Sequence, residues 1–261
     1  LVAADTNGLT DVYVADRIAG TLVLASTSIL GSLGNGNSFE PALSGDGRWV
    51  AFSTWASNWN GFDNNAAIDV MLKDLQTGQL TRVSGLVGSF FAASGESRRP
   101  AISFDGRFVA FDTTADTFSA ADNNGLHDVY VRDFQLGTIT LVSRTGGGVA
   151  GNGAASHAAL SDDGRFVVFQ SSATNLVAGD GNGAIDIFER DMLDILPMEI
   201  ASRVPGGALG NGHSIDPSLS ANGRFVVFTT AATNFVFGDA NGSTDVFLHD
   251  RSLDALRHVS H

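Results

Sequence analysis

The sequence predicts an all-β fold, a β-propeller built from four-stranded blades. Two repeated strings and the composition between them carry this reading. Ser-x-Asp/Asn-Gly-Arg recurs at Ser44, Ser103, Ser161 and Ser220, at spacings of 59, 58 and 59 residues. Asp-x-Asn-x-x-x-Asp begins at Asp5, Asp63, Asp122, Asp180 and Asp239 with the same period. The whole chain holds 31 glycines and 5 prolines, and short β-rich runs without helices lie between the strings. Repeated units that cannot bury an apolar face alone must stack on their neighbours. A period near 59 suits a four-stranded blade; a β-helix would repeat over a much shorter distance.

Each repeat reads as four strands in order. The first is short and ends in the Ser-x-Asp-Gly turn: Pro41–Ser44, Pro100–Ser103, Ala158–Ser161 and Pro217–Ser220. The second is the Val/Phe run after the arginine: Trp49–Phe52, Phe108–Phe111, Phe166–Phe169 and Phe225–Phe228. These runs are apolar on both faces, as expected of sheets covered on both sides. The third follows the Asp-x-Asn loop: Asp69–Lys73, Asp128–Arg132, Asp186–Arg190 and Asp245–His249. The fourth ends in Val-Ser or Ala-Ser, as at Leu80–Ser84 and Thr140–Ser143. Asp-Gly, Thr-Gly and Leu-Gly turns join them as hairpins.

Strings such as PALSGDGRWVAF and DVMLKDLQTGQLTRVS resemble the TolB-type, WD-repeat-like propeller repeat over essentially the whole chain. The resemblance implies the fold and leaves the role open, because such propellers host many functions. The repeat is longer here than the usual TolB blade, and the excess lies in two loops expected on one face. One carries Asp-x-Asn-x-x-x-Asp. The other is Gly-rich, with Gly34-Asn35-Gly36, Gly151-Asn152-Gly153 and Gly210-Asn211-Gly212. Elaborated loops on a rigid scaffold are where function usually sits.

The repeats divide the single domain 1–261 into an outer half-blade (1–26) and four complete repeats (27–84, 85–143, 144–202, 203–261). Five blades, the first incomplete, are expected. Its inner strands would come from residues upstream or from another chain. Leu1 is not a natural start, so a mature protein or a fragment is expected.

Composition narrows the function classes. The net charge of −13 argues against nucleic acid and anionic membrane surfaces as partners. No run of about 18 apolar residues occurs, so no transmembrane helix is expected. The absence of cysteine removes disulfides, thiolate zinc sites and cysteine nucleophiles.

The Asp-x-Asn loop is the sharpest chemical signal. Carboxylates at its first and seventh positions and an Asn carbonyl at the third can converge on a hard cation such as Ca2+, which takes six to eight oxygens. The spacing resembles the last seven positions of the calcium loop in integrin α-chain propellers. That resemblance implies Asp5, Asn7 and Asp11; Asp63, Asn65 and Asp69; Asp122, Asn124 and Asp128; Asp180, Asn182 and Asp186; and Asp239, Asn241 and Asp245 as ligands of up to five ions. The integrin loop's first acidic position is Ala3, Gly61, Ala120, Ala178 or Phe237 here, so one carboxylate is lost. A metal-free Asx turn is the competing reading.

Ser-x-Asp/Asn-Gly-Arg reads as structural, with Arg48, Arg107, Arg165 and Arg224 pairing Asp74, Asp133, Asp191 and Asp250. Glu40, Arg99, His157 and Asp216 occupy one repeat position yet differ from one another, and should ring the mouth of the central channel. Trp55, Phe62, Phe91 and Phe237 are unrepeated aromatics and candidate contacts. Trp59, Phe118, Leu176 and Phe235 form an aligned apolar set that reads as core.

The leading expectation is a non-catalytic, calcium-stabilised binding or assembly module, extracellular, at the cell surface or periplasmic. Its partner would be a protein or glycan on the loop face. The alternative is a carbohydrate-active hydrolase or lyase, or a lectin, working at the channel mouth.

Overall fold

The computed structural model describes residues 5–59, 63, 65–88, 91–236 and 242–260. Strands β1 (Tyr13–Asp16) and β2 (Thr21–Leu24) form a hairpin. Four four-stranded antiparallel sheets follow, each a meander in chain order. Blade 1 is β3 (Ser38–Leu43), β4 (Trp49–Thr54), β5 (Asp69–Asp74) and β6 (Leu80–Arg82). Blade 2 is β7 (Ser97–Ile102), β8 (Phe108–Thr113), β9 (Asp128–Asp133) and β10 (Thr138–Leu141). Blade 3 is β11 (Ala155–Leu160), β12 (Phe166–Ser171), β13 (Asp186–Asp191) and β14 (Glu199–Ile200). Blade 4 is β15 (Ser214–Leu219), β16 (Phe225–Thr230), β17 (Asp245–Asp250) and β18 (Ala255–His258). The described helix content is one 3-10 turn, Asp116–Phe118.

The core lies between blades. The second and third strands alternate their side chains between the preceding and the following sheet. Ala51, Val70 and Leu72 of blade 1 meet Val109, Phe111 and Tyr130 of blade 2. Ala110, Val129 and Val131 then meet Val167, Phe169 and Phe188. Val168 and Ile187 meet Val226, Phe228 and Phe247. Val12 and Ala25 of the β1–β2 hairpin pack on Val50, Phe52 and Met71, so the hairpin stands where a preceding blade would. The backbone repeats this order. Ser38, Ser97, Ala155 and Ser214 each donate an amide to a carbonyl of the preceding unit, at Thr10, Ile68, His127 and Ile185.

Blade 4 ends the arc. Its forward-facing Val227, Val246 and Leu248 are half-buried, whereas Val70, Leu72, Val129 and Val131 in the same role are buried. The aligned apolar set is core: Leu176 and Phe235 are buried, and Trp59 and Phe118 set their edges against Phe52 and Phe111.

The Ser-x-Asp-Gly-Arg motif resolves into one device used four times. Ser44 Oγ donates to Asp46 Oδ1 (2.5 Å) and accepts the Trp49 amide (2.9 Å), which closes the turn. Arg48 then forks onto Asp74 through Nε (3.2 Å) and Nη2 (2.7 Å) while lying over the Trp49 ring. Arg107, Arg165 and Arg224 do the same on Asp133, Asp191 and Asp250. These are the pairs expected from the sequence.

The first strand differs from expectation. It begins three residues earlier, at Ser38, Ser97, Ala155 and Ser214. Glu40, Arg99, His157 and Asp216 therefore lie inside it, not before it. Each sits at a β-bulge where the register to the next strand shifts, with φ between 50° and 55°. Proline follows three of the four, and a Pro cannot donate to a ladder.

Candidate functional site: the pocket at the strand bulges

The four bulges bring Glu40, Arg99, His157 and Asp216 into one pocket of about 410 Å3, walled by Pro41, Pro100, Ala158 and Pro217. Each side chain is re-aimed by its bulge, a known use of bulges near functional sites. The left-handed backbone is uncommon for these residue types. It costs on the order of 1–3 kcal/mol per position.

The two halves of the pocket differ. On the blade 1 and 2 side every charge is paired. Glu40 Oε2 accepts Ser53 Oγ (2.8 Å) and the Arg99 amide (3.1 Å), and Oε1 faces Arg98 Nη2 at 3.5 Å. Arg99 Nη1 donates to Asp112 Oδ2 at 2.8 Å. Asp112 is fully buried, and its Oδ1 has no hydrogen-bond partner among the described residues. His127 is held between two carboxylates, with Nδ1 3.3 Å from Asp112 and Nε2 3.2 Å from Glu96. The Asp112 carboxylate raises His127 above the ordinary imidazole range, against the effect of burial.

On the blade 3 and 4 side the groups are looser. His157 Nδ1 lies 3.0 Å from Ser156 Oγ, and Nε2 lies 3.8 Å from Asp216 Oδ1. The Asp216 amide donates to Gln170 Oε1 (2.9 Å), and its carboxylate is 62% exposed. Ser53, Asp112, Gln170 and Thr229 occupy one position of the second strand and, like the four pocket residues, vary while their surroundings repeat. Variation at that position was the available signal for Asp112, Ser53 and Gln170, and sequence reasoning passed over it.

Trp55 and Phe91 are half exposed on loops and do not line this pocket. Phe62 and Phe237 lie outside the described residues, as do Asp239 and Asn241.

The Asp-x-Asn loops are built as bridges. The Asn7, Asn65, Asn124 and Asn182 amide groups donate to carbonyls of the next Gly-rich loop, at Gly34, Ala93, Gly151 and Gly210. Their Oδ1 atoms accept the amide two residues on, an Asx turn, at Leu9, Ala67, Leu126 and Ala184. The seventh-position aspartates tie the third strand to the fourth. Asp11, Asp69, Asp128, Asp186 and Asp245 accept Ser26, Ser84, Ser143, Ser202 and Ser260 hydroxyls. Arg82 faces Asp69 at 3.2 Å, and His258 Nε2 lies 3.0 Å from Asp245. The Tyr13 hydroxyl holds Asp5, and the Tyr130 hydroxyl holds Asp122 at 2.7 Å. Asp63 Oδ1 accepts the Asn65 amide at 3.4 Å.

A Ca2+ ion therefore meets a partial donor set. Among the described residues no cluster of three or more acidic or histidine side chains is placed to hold a metal. The asparagine oxygens are engaged. The Asp180–Asp186 loop fits best. Asp180 is 9% exposed, its Oδ1 has no hydrogen-bond partner among the described residues, and Phe188 stands where Tyr130 stands in blade 2. Burial raises both carboxyls above the ordinary range, with the Asp186 charge adding to the effect at Asp180. Burial likewise pushes Asp69 to about 6 and Asp128 to about 7.

No protein-family model matches the chain, and no curated protein sequence does. Solved structures do. TolB from Acinetobacter baumannii superposes with a TM-score of 0.56 at 17% identity, over 95% of this chain and 48% of that one. A putative TolB from Agrobacterium tumefaciens gives 0.55 at 17% identity, over 95% of this chain and 80% of that one. An oligogalacturonate lyase in complex with manganese gives 0.57 at 12% identity, over 97% and 60%. The chain thus spans about half the length of the first of these. At such identities the likeness is one of fold: an all-β chain of four-stranded antiparallel sheets, as in TolB-type propellers.

Proposed function

We propose that the chain is a binding module whose recognition site is the channel pocket. One observation carries this: Glu40, Arg99, His157 and Asp216, two carboxylates, a guanidinium and an imidazole at one repeat position, converge on a single pocket. A repeat kept only for packing would carry the same residue at each copy of so strained a position. The reading places recognition in the channel, not on the loop face around Trp55 and Phe91.

Three parts of the reading go with it. The sheets form part of a five-bladed ring whose first blade is represented by its outer hairpin. The half-buried forward face of blade 4 supports this, since a following blade would cover it. Ca2+ stabilises the loop face, with Asp180 and Asp186 as first holders. The module works outside the cytoplasm, at a cell surface, in a periplasm or in the extracellular space. Among the described residues no helix is long and apolar enough to cross a membrane. The enzyme alternative rests on His157, placed between Ser156 Oγ and Asp216 as an acid–base group would be. Ser156 does not line the pocket, so a binding role is favoured.

The test is an amide and His-ring NMR titration with separate small fragments: an alkylammonium, a carboxylate, inorganic phosphate and a monosaccharide. The expected result is shifts clustered on Glu40, Arg99, His157 and Asp216 with at least one fragment. Shifts confined to Trp55, Phe91 and the loops, or none at all, overturn the reading.

A further inference from the structure

Resting on the channel reading, the geometry points to an alkylammonium group as the ligand: a lysine side chain of a partner, or a free amine. Charge pairing carries this. Arg98 and Arg99 are offset by Glu40 and Asp112 at 3.5 and 2.8 Å. His127 lies between Asp112 and Glu96. The pocket is therefore balanced on the blade 1 and 2 side, and its arginines are spent on carboxylates of the protein. An anionic ligand would have to compete with Asp112 and Glu40 for them.

The blade 3 and 4 side is not balanced. The Asp216 carboxylate takes no hydrogen bond among the described residues, and His157 Nε2 at 3.8 Å is beyond normal hydrogen-bond range. Asp216 is thus a carboxylate at a strained bulge on the pocket wall, and its one facing base among the described residues is the His157 imidazole at 3.8 Å. The chain's net charge of −13 adds a field of the same sign.

The walls fit the rest of such a ligand. Pro41, Pro100, Ala158 and Pro217 are apolar, and proline offers no amide donor for an anion. An aliphatic stem against these rings, with its ammonium at Asp216, buries carbon and leaves the charge hydrated at the mouth. A compact ammonium with three donors suits one carboxylate and an imidazole nitrogen better than a planar guanidinium built for bidentate pairing.

The experiment uses the full chain and Nα-acetyl-lysine amide, followed by NMR shifts at His157 and Asp216. Nα,Nε-diacetyl-lysine amide, butylamine and acetate are the comparison probes. The free-amine probes should shift the pocket, with affinity falling as salt rises. Asp216→Asn should weaken binding at least tenfold while remaining folded, because Asn tolerates left-handed backbone well. Tighter binding of the lysine amide than of butylamine points to a peptide partner; the reverse points to a free amine, and both support the ammonium. Equal binding of the diacetylated probe, or unchanged affinity in Asp216→Asn, overturns it. Pocket shifts with acetate alone also overturn it, while sparing the channel reading. Silence at the pocket with every fragment removes both.

Discussion

At the scale of single residues, buried aspartates set how the stability of the protein responds to pH. Asp69 and Asp128 titrate near 6 and 7 in the fold because burial disfavours their charged forms. Unfolded, they would titrate near 3.9. The folded state thus binds more protons between about pH 4 and 7, and stability falls as pH rises through that window, by up to roughly 1.4 kcal/mol per unit per group. Asp74, Asp133, Asp191 and Asp250 act oppositely. Their arginine forks hold them below the ordinary carboxylate range, so their contribution is lost as pH falls below about 4. In chelator, thermal melting should therefore show maximal stability near pH 4–5 and a decline toward pH 7.5. Asp128→Asn should flatten that decline. Millimolar Ca2+ at pH 7.5 should recover part of the lost stability, since a bound cation favours ionised Asp180 and Asp186. A flat profile from pH 4 to 7.5 would refute the burial argument, and an unchanged melt with Ca2+ would refute the metal.

At the scale of elements, blades are held by glycine turns that receive a neighbour's aromatic ring. Gly164 has φ +69°, and a Cβ there would sit 2.1 Å from Phe108 of blade 2. Gly223 meets Phe166 and Gly106 meets Trp49 in the same way. Gly164→Ala combines a steric clash with left-handed strain and should cost roughly 2–4 kcal/mol in denaturant melts. A change below about 0.5 kcal/mol would show that blade spacing is set elsewhere.

The same elements show what was legible in the sequence. Strands two and three, the turns and the Arg–Asp pairs follow from apolar runs and repeat spacing. The first strand's start did not, because a bulge breaks its alternation and Pro41, Pro100 and Pro217 read as a beginning. The asparagine roles were also hidden. Asp-x-Asn spacing suits both an ion and an Asx turn, and only the neighbouring Gly-rich loop shows where the amides go. Asp112 was missed because it lies one residue past the Val/Phe run Phe108–Phe111, yet it is buried beside Arg99 and His127.

At the scale of the whole molecule, four sheets and a hairpin stack in one arc, and the repeat makes every blade boundary alike. Function has room only where copies differ. At the inner strands such differences fall on Glu40, Arg99, His157 and Asp216 and on the partners behind them. Glu40 and Arg99 are tied into charge pairs that also support the fold. His157 and Asp216 have few ties, so they can be removed without unpairing a buried charge. Glycine at these two positions should relieve backbone strain and keep the bulges. The most direct test is therefore an NMR titration of the His157→Gly/Asp216→Gly double variant with the alkylammonium fragment, beside the parent chain. The account predicts a folded variant melting no lower than the parent, with the pocket shifts abolished. A folded variant that keeps those shifts, at the parent's affinity, would contradict it.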